Sequence, residues 1–367
     1  MHEIKILVPR LDNIGGIANY YKTIKKHLCD SYCYVYRGKA HKNESNLCSF
    51  IRMLKDYCYF IRKVKIHTKA VVINTSLGKN GFFRDGIFCL LSTNIVKIVF
   101  FRGWSPQFEK KINRSVYLKF WLKRTFIHAD HIIILSSEFK QKIQNWGYTG
   151  GFDLETTVVD ESMIRDLDLI NLQRKREKDK NTKILYLGNI SIGKGVWELM
   201  KAYQILHEKY SIKNIKCIIA GDGSELNRLR KYSDSQKIDI IFPGYVTDKR
   251  KISVFENAHI YVFPSAHDEG MPNSVLEAMA FGLPIITTRV GGIPDFFEEG
   301  KMGLYLDSRE PEHIVQKIHY MLSRPRLMDQ ISVYNYNFAK EHFYASIVAR
   351  RFEKIIEKAL DEHSFDI

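Results

Sequence analysis

The sequence predicts an α/β protein built from two doubly wound parallel sheets. Short, nearly continuous apolar runs alternate with longer amphipathic stretches, which is typical of parallel strands covered by helices on both faces. The chain has 367 residues, enough for two domains of ordinary size. A polar, charge-dense segment near the middle, "RDLDLINLQRKREKDKNT", is typical of a linker between them.

Nine apolar runs predict the strands of the two sheets. Those of the first half are Ile4–Val8, Ala70–Asn74, Val96–Phe101 and Ile132–Leu135. Those of the second half are Lys183–Gly188, Ile215–Gly221, Ile238–Pro243, Ile260–Phe263 and Pro284–Thr287. Helical stretches such as Gly195–Tyr210 and Ser224–Ser235 lie between them. Strand and helix in repeated alternation indicate crossover connections, and hence parallel sheets.

The position of the linker predicts where the domains begin and end. We expect an N-terminal domain over residues 1–165 and a second domain over 181–340. The stretch Phe338–Leu360 has a helical period, so we expect segment 341–367 to form a C-terminal helix that packs back on the first domain.

The positive charge of the chain is concentrated in its first half. The net charge is +15, and residues 1–150 hold 26 Lys and Arg against 9 Asp and Glu. The rest of the chain holds 30 against 32. We therefore expect the first domain to attract an anionic partner, either a lipid surface, a diphosphate-bearing acceptor or nucleic acid.

The cysteines and the hydropathy pattern predict a cytoplasmic protein. None of the six cysteines forms a Cys-x-x-Cys pair. Cys29, Cys33 and His27 could be metal ligands, but reduced cytosolic cysteines are the favoured interpretation. No apolar run reaches the roughly 18 residues of a membrane span, and "MHEIKILVPR" is too short in apolar residues for a signal peptide.

One stretch of the second half, "HDEGMPNSVLEAMAFGLPIITTRVGG", carries two glutamates eight positions apart, Glu269 and Glu277. A predicted helix begins between them, with Asn273 or Ser274 as N-cap and Gly282 as its stop. Such a helix start at the carboxyl end of a strand is where open α/β sheets bind ligands, and its N–H groups attract phosphates. A carboxylate one turn in would accept hydrogen bonds from a ribose diol. The alternative is a capping box with two incidental acids.

The same stretch resembles the nucleotide-sugar signature of the retaining glycosyltransferases of family four, the glycosyl transferases group 1. Their pattern runs Glu-Gly-x-Pro, then Glu-Ala-x-Ala-x-Gly-x-Pro, then Gly-Gly, and this chain reads "EGMPNSVLEAMAFGLPIITTRVGG" without a gap. The resemblance implies the GT-B fold, in which two Rossmann-like doubly wound parallel-sheet domains face a cleft. It implies that Glu277 holds the donor ribose and that Glu269 is the catalytic carboxylate at the donor sugar. The other donor-binding residues that it implies here are Gly270, Met271, Asn273 and Ser274.

The segment "YLGNISIGKGVWEL" at 186–199 resembles the strand and loop of the same family that carry Lys-Gly at a helix start. The resemblance implies that Gly188, Asn189 and Gly195 bind the donor and that Lys194 stabilises the leaving diphosphate as a catalytic cation. The family usually has Arg at the position of Asn189, so one phosphate-binding cation is missing here.

Three further segments resemble donor-site loops of the family, although each alone is a common turn. "IAGDGSELNRLR" implies a role for Gly221, and "IIFPGYV" implies that Tyr245 and Val246 lie beside the nucleotide base. "LDNIGGIANY" resembles the Gly-Gly loop after the first strand and implies donor contacts from Gly15 and Gly16. Paired glycines allow the backbone to approach a phosphate or sugar closely.

One position departs from the family pattern. Many members have His-Gly at the end of a first-domain strand, but "KIVFFRGWSPQF" has Arg102 and Gly103 there. Arginine does not lose its proton in a protein, so it cannot act as a base. Arg102 is an acceptor-side candidate that could bind an acidic acceptor or stabilise negative charge, and it could equally pack over Trp104.

The sequence predicts no metal and no cofactor. Asp166-Leu-Asp168 lies in the expected linker, and the histidines lack metal-ligand spacing. A positive phosphate pocket would then do the work of a divalent cation.

Two stretches of the first half are both basic and aromatic, "FIRMLKDYCYFIRKVK" at 50–65 and "KKINRSVYLKFWLKRTF" at 110–126. Basic helices with aromatic residues are typical of proteins that lie on a membrane surface. The other interpretation is that the aromatics are core and the charges a solvated face. Together with the net positive charge of residues 1–150, the pattern favours peripheral attachment to the inner face of the cytoplasmic membrane.

These observations predict a retaining glycosyltransferase that uses a nucleotide-sugar, with a UDP-sugar favoured. The expected acceptor is a hydroxyl of a glycan or lipid-linked acceptor, in bacterial surface polysaccharide synthesis. The rival enzymes are another GT-B activity, an epimerase or a phosphorylase. The rivals of other classes are a non-catalytic GT-B scaffold and a nucleic-acid-binding protein; the sequence has no recognisable nucleic-acid motif, so we expect no nucleic-acid partner.

Overall fold

The computed structural model describes residues 3–13, 15–39, 44–64, 67–210, 214–266 and 269–365. These residues form two compact units. Unit 1 contains residues 3–158, 269–271 and 345–365, and unit 2 contains 159–266 and 272–344. The C-terminal helix therefore belongs to unit 1, although unit 2 precedes it in the chain.

Unit 1 is built on a six-stranded parallel sheet with the order β2-β1-β3-β4-β5-β6. Its strands are β1 (Glu3–Pro9), β2 (Tyr32–Arg37), β3 (Thr68–Leu77), β4 (Val96–Trp104), β5 (His131–Ile134) and β6 (Gly151–Leu154). Its first helices are α1 (Gly16–Ile24), α2 (Asn46–Val64), α3 (Lys79–Leu91), α4 (Pro106–Arg114), α5 (Val116–Arg124) and α6 (Ser137–Asn145).

The two faces of this sheet are covered by different helices. Helices α2 to α6 pack on one face around an aromatic core that includes Phe60, Phe82 and Phe101. On the other face, Tyr20 of α1 lies edge-on against Phe100. The C-terminal helix also packs on that second face, against β3 and β4.

Unit 2 contains a second six-stranded parallel sheet with the order β12-β11-β10-β7-β8-β9. Its strands are β7 (Thr182–Leu187), β8 (Ile215–Ala220), β9 (Ile240–Gly244), β10 (Ile260–Phe263), β11 (Ile285–Thr287) and β12 (Gly303–Tyr305). Its helices are α7 (Leu169–Glu177), α8 (Val196–Glu208), α9 (Leu226–Ser235), α10 (Asp248–Glu256), α11 (Asn273–Ala280), α12 (Pro311–Leu322) and α13 (Pro325–His342). Helix α14 (Ala345–Phe365) then returns to unit 1.

The predicted fold class is confirmed, and all nine predicted strands are present within a few residues. Three further strands were not predicted: β2, β6 and β12. All three are edge strands. An edge strand is covered less completely than a central one, so its sequence need not be a continuous apolar run. β2 alternates tyrosine with other residues, and β6 and β12 both begin at glycine.

The helices differ from the expectation in two stretches, and a helix also lies within the expected linker. The stretch 110–126 is not one helix, because Ser115 ends α4 and its side chain accepts a hydrogen bond from the Leu118 N–H to start α5. The stretch Phe338–Leu360 is divided between α13 and α14, where Val159 donates its N–H to the Phe343 carbonyl. The expected linker contains helix α7, whose Asp168 cap and buried Leu172 join it to unit 2.

None of the helices in the described part of the chain has the length and hydropathy that crossing a bilayer requires. All six cysteines are free thiols.

Candidate functional site

The topology of unit 2 places its candidate site at the carboxyl ends of β7 and β10. From β7 the chain runs outward through β8 and β9, and then returns to the other side of β7 as β10. In an open α/β sheet, a ligand crevice forms where the strand order reverses in this way. The loops after Leu187 and after Phe263 both begin at this point, and the first of them carries the predicted residues Gly188, Asn189, Lys194 and Gly195.

Glycines allow these loops to pack closely against each other. Gly221 has φ +136°, and a Cβ there would lie 1.8 Å from the Gly188 carbonyl oxygen. Gly195 has φ +76°, and a Cβ there would lie 2.1 Å from the Pro264 carbonyl oxygen. The Gly221 N–H also donates to the Gly244 carbonyl oxygen at 2.8 Å. The predicted glycines at 188, 195 and 221 are therefore brought together at one edge of the sheet.

Lys194 lies in the loop between β7 and α8, with glycine on both sides. Gly193 and Gly195 have φ +89° and +76°, and the Lys194 N–H donates to the Ser191 carbonyl oxygen at 3.2 Å. The Gly193 carbonyl oxygen accepts from the Ala266 N–H at 2.8 Å, which ties this loop to the one after β10. A cation is thus carried at the switch point itself.

Two helices begin at this edge without a side-chain cap. Helix α8 begins after Gly195 and helix α11 after Pro272. Neither N-cap residue has a side chain that accepts a hydrogen bond from the first backbone N–H groups of its helix. The first N–H groups of a helix lack partners within the helix, and they carry the positive end of its dipole. Two such helix starts are suited to bind an anionic group such as a diphosphate.

The start of α11 differs from the expectation. Neither Asn273 nor Ser274 is the N-cap, because Pro272 precedes the helix and Asn273 is already its first residue. The Ser274 Oγ is instead 2.7 Å from the Tyr261 hydroxyl, which also donates to the Leu187 carbonyl oxygen at 2.9 Å. The predicted end is correct, since Gly282 follows the helix with φ +65°.

Glu277 is buried on α11, where it is the fifth residue and lies one turn into the helix. Its side chain is 7% exposed, and Oε1 accepts from Lys251 Nζ of α10 at 2.6 Å. Burial raises the pKa of the Glu277 carboxyl, while Lys251 acts in the opposite direction and Asp160 adds to the rise. A buried carboxylate beside one cation is a strong hydrogen-bond acceptor.

Lys251 was not predicted as part of the site. It lies 26 residues before Glu277, within "DKRK" at the start of α10. Three successive basic residues give no sequence signal that one of them pairs with a buried acid. The pairing follows from the tertiary packing of α10 and α11.

The remaining predicted residues of unit 2 lie on neighbouring loops. Asn189 is exposed, and its carbonyl oxygen accepts from the Tyr186 hydroxyl at 2.8 Å. Tyr245 follows β9 and is 60% exposed, whereas Val246 is buried. Tyr245 therefore offers an aromatic face to solvent beside the site, and Val246 contributes to packing.

A pocket of about 400 Å³ opens at the carboxyl ends of β10, β11 and β12. It is lined in part by Thr288, Arg289, Asp307 and Arg309. Arg309 also forms an ion pair with Glu198 in the first turn of α8, at 3.0 Å. This pocket borders the Gly-Gly pair that ends the signature, since Val290, the residue before that pair, lines it.

Glu269, Gly270 and Met271 belong to unit 1. A Cβ at Gly270 would lie 2.6 Å from the Arg102 carbonyl oxygen, so only glycine fits against the end of β4. The Met271 carbonyl oxygen accepts from Thr157 Oγ1 at 3.5 Å. Glu269 itself is partly buried.

Arg102 packs on aromatic rings other than Trp104. Its guanidinium carbon lies 3.8 Å from the Tyr20 ring centroid and 4.1 Å from that of Phe100. Trp104 stacks on Phe139 instead. The buried Nη1 of Arg102 has no hydrogen-bond partner among the described residues, so a polar group remains available at the end of β4.

Gly15 and Gly16 lie at the start of α1, where unit 1 has its own switch point between β1 and β3. No described atom lies within 4 Å of the position that a Cβ would occupy at either glycine. Helix α1 has no side-chain cap. The glycines therefore border open space at the carboxyl end of the sheet.

Within the described residues, no three His, Cys, Asp or Glu side chains are grouped closely enough to hold a metal ion.

Comparison with known proteins identifies the second unit. Residues 170–338 match the family model of the glycosyl transferases group 1. This segment is a glycosyl transferases group 1 domain. The match confirms the resemblance to the glycosyl transferases group 1, and the matched segment contains Lys194, Glu277 and the crevice between β7 and β10.

Relatives found by sequence are described as glycosyltransferases. The uncharacterized glycosyltransferase MJ1069 of Methanocaldococcus jannaschii is 27% identical over 266 residues, which are 70% of this chain and 65% of that protein. CapM of Staphylococcus aureus, a capsular polysaccharide biosynthesis glycosyltransferase, is 26% identical over 80% of this chain and 78% of its own. This chain thus spans less than two thirds of the archaeal protein.

Solved structures confirm the GT-B fold of the glycosyltransferase domain and its companion unit. HepE of Anabaena, in complex with UDP and glucose, matches with a TM-score of 0.73 over 97% of this chain and 100% of that one. The two sequences are 13% identical, so this likeness concerns the fold.

Proposed function

We propose that the protein transfers a sugar from a nucleotide-sugar donor, of the UDP-sugar class, to a hydroxyl group of a glycan or lipid-linked acceptor. The observation that carries the proposal is the buried Glu277 of α11 paired with Lys251 of α10, beside two uncapped helix starts at the switch point of the segment that matches the glycosyl transferases group 1. This arrangement offers an acceptor for a diol and donors for a diphosphate at one edge of the sheet.

Each part of the donor has a candidate partner. The ion pair with Lys251 uses Glu277 Oε1, so Oε2 would accept from the ribose hydroxyls. The N–H groups at the starts of α8 and α11, together with Lys194, would bind the diphosphate. Glu269 would position and polarise the donor sugar as the catalytic carboxylate. HepE, which shares the fold, was solved with UDP and with UDP-glucose, which supports the choice of donor class.

The transfer would proceed with retention of anomeric configuration. The acceptor hydroxyl would attack the face from which the diphosphate leaves, and the leaving phosphate would take the hydroxyl proton. Lys194 and the helix N–H groups would stabilise the charge that develops on the leaving group. On this account the reaction needs no metal ion and no cofactor.

The acceptor side of the proposal rests on unit 1. Its strongly basic composition suits an acidic or lipid-linked glycan acceptor at the inner face of the cytoplasmic membrane. Arg102, with its unpaired Nη1 at the end of β4, is the acceptor-side candidate. The relation to CapM, a capsular polysaccharide biosynthesis glycosyltransferase, supports a role in bacterial surface polysaccharide synthesis.

The test is a transfer assay with a panel of UDP-, GDP-, ADP- and CMP-sugars in the presence of EDTA. We expect release of one nucleoside diphosphate, and a product that NMR shows to keep the anomeric configuration of the donor. Glu277→Gln should weaken donor binding by about 10- to 100-fold, since it removes hydrogen bonds to a charged group. Glu312→Gln, an exposed residue on α12, is the matched control and should change nothing.

The two rival classes would give different results. A non-catalytic scaffold would bind a nucleoside diphosphate but release none from any sugar donor. A nucleic-acid-binding protein would show neither activity, and would bind RNA with a steep dependence on salt.

A further inference from the structure

One helical layer of unit 1 exposes many large apolar side chains. Helices α2, α3, α4 and α5 lie on the same face of the sheet, and we call them the basic helical layer. The large apolar residues that they expose are Leu47, Phe50, Ile51, Leu54, Tyr59, Phe83, Leu90, Val116, Tyr117 and Phe120. Groups of exposed apolar side chains on one layer of a protein are typical of surfaces that contact a partner or a membrane.

Helix α5 shows the feature most clearly. Leu122 is buried in the core, and the Trp121 Nε1 donates to the Phe82 carbonyl oxygen. The opposite side of the helix carries Val116, Tyr117 and Phe120, which are 79%, 88% and 61% exposed. Because these three side chains point away from the core, packing in the core does not account for their apolar character.

Helix α2 exposes a stripe of apolar side chains along its outer side. Leu47, Phe50, Ile51 and Leu54 follow the spacing of one helical face, and Leu47 is 69% exposed. The inner face of the same helix buries Tyr57, Phe60 and Val64. The helix is therefore apolar on two sides. A helix whose outer face is solvated is normally apolar only on the side that packs on the core.

The carboxylates of the basic helical layer are neutralised. Asp56 pairs with Arg52 at 3.0 Å, Asp85 is buried beside Arg84 at 2.8 Å, and Glu109 pairs with Lys142 at 3.1 Å. Ten cations of the layer have no carboxylate within ion-pairing distance among the described residues. They are Lys55, Arg62, Lys63, Lys79, Lys110, Lys111, Arg114, Lys119, Lys123 and Arg124.

A pocket of about 390 Å³ lies beside α5. Lys119 and Lys123, one turn apart on α5, line it together with Asn113, Trp146, Glu109 and Lys142 of α6. Glu109 forms an ion pair with Lys142 at 3.1 Å. The Trp146 Nε1 donates to Asn113 Oδ1 at 2.7 Å, which fixes one wall. Because Lys142 already neutralises Glu109, Lys119 and Lys123 leave the pocket with an excess of positive charge, which is suited to a phosphate group.

We propose that the basic helical layer binds an anionic phospholipid bilayer, with Val116, Tyr117 and Phe120 in the interfacial zone and a lipid phosphate in the Lys119–Lys123 pocket. This inference rests on the proposed function, which places the protein at the inner face of the cytoplasmic membrane, and it names the surface that would bind that membrane. Its test measures binding to vesicles and requires no glycosyl transfer. A bilayer offers both an apolar phase and anionic phosphates. The basic helical layer exposes apolar side chains that suit the first and cations that suit the second.

Other occupants fit this surface less well. Nucleic acid could stack its bases on the exposed aromatic rings and pair its phosphates with the cations. It has no apolar phase in which to bury the aliphatic side chains of Leu47, Ile51, Leu54 and Val116. A second copy of the chain would bring two unneutralised cationic surfaces together. The combination of aliphatic and cationic exposure is therefore specific to a lipid surface.

The first experiment measures co-sedimentation of the full chain with vesicles of phosphatidylcholine alone and of phosphatidylcholine with phosphatidylglycerol. We expect binding only to the anionic vesicles. The variant Lys119→Glu/Lys123→Glu/Arg124→Glu should lower the partition coefficient at least tenfold. The matched control Lys201→Glu/Lys209→Glu/Lys231→Glu changes three exposed lysines of unit 2 and should bind as the wild type does.

The second experiment tests the apolar contact. Tyr117→Trp should shift its emission to the blue and be quenched by brominated lipids in anionic vesicles, whereas Tyr210→Trp in unit 2 should show neither change. Equal loss of binding in both triple variants, or no change for Tyr117→Trp on vesicles that bind the protein, would overturn the proposal. Binding of RNA but not of vesicles at this layer would overturn it too. Nucleotide binding, measured in parallel, reports on the donor site separately.

Discussion

At the scale of single residues, the most informative feature is the pairing of Glu277 with Lys251. The signature identified Glu277 but could not reveal its partner or the burial that raises the pKa of its carboxyl. Burial penalises the charged form, and a cation at 2.6 Å restores part of it. Such a carboxylate is fixed in position by its partner before a ligand arrives, which reduces the cost of ordering it.

The raised pKa predicts how nucleotide binding depends on pH. The Glu277 carboxyl should gain its proton at a pH above its ordinary value of 4.5, and a protonated carboxyl no longer accepts from two ribose hydroxyls. Affinity for the nucleoside diphosphate should therefore fall on acidification while exposed glutamates are still ionised. Calorimetric titrations across a pH series measure this. In Glu277→Gln the affinity should be low at every pH, and a retained pH dependence would contradict the assignment.

Gly221 should be the most sensitive glycine of the site. Gly221→Ala places a methyl group 1.8 Å from the Gly188 carbonyl oxygen at φ +136°, so the backbone must move. We expect a loss of about 2–4 kcal/mol in the free energy of unfolding. Gly244→Ala is the matched control, since φ is +74° and no atom lies within 4 Å of the new Cβ; about 1 kcal/mol should be lost there. Equal losses in urea unfolding would show that crowding plays no part.

At the scale of the elements, the central strands and the edge strand β9 could be predicted, and the other three edge strands could not. Runs such as Ile260–Phe263 are apolar because both faces are covered, and this strand has the predicted bounds. The edge strands β2, β6 and β12 lack such a pattern. Helix α7 was missed because Arg176 joins it to unit 2 by donating to the Phe255 and Phe281 carbonyl oxygens, each at 3.1 Å. Contacts from a basic side chain to backbone leave no periodic signal in a sequence.

Helix α7 should therefore depend on Arg176. Its guanidinium satisfies the last carbonyl groups of α10 and α11, so Arg176→Ala leaves them without donors. The free energy of unfolding should fall by about 2–3 kcal/mol. Arg174→Ala, an exposed residue of the same helix, should cost under about 0.5 kcal/mol. Similar effects of the two variants in denaturant titrations would mean that α7 is held by apolar contacts alone.

At the scale of the whole molecule, the chain leaves unit 1 and returns to it. Helix α14 packs on β3 and β4, and its Arg351 donates to the fully buried Glu155, with Nε 3.1 Å from Oε1. The same guanidinium donates to Thr156 Oγ1 at 2.9 Å. The helical period of this segment was visible in the sequence, but its buried ion partner, almost two hundred residues earlier, was not.

The return of α14 should be essential to unit 1. Arg351→Ala leaves Glu155 as an uncompensated buried charge, which should cost about 3–5 kcal/mol. Arg350→Ala removes the exposed neighbouring guanidinium and should be nearly neutral. If the two variants unfold at the same denaturant concentration, the pair does not anchor the helix.

The central claim is that the glycosyltransferase domain binds a nucleoside diphosphate at the carboxyl edge of its sheet without a metal ion. Thermal unfolding of the wild type and of Lys194→Ala, against UDP, GDP, ADP and CMP with EDTA present, tests it most directly. A ligand that binds only the folded protein raises its melting temperature. We predict a clear rise with one diphosphate, UDP foremost, and a much smaller rise in Lys194→Ala. No rise with any nucleotide, or an equal rise in both proteins, would contradict the claim.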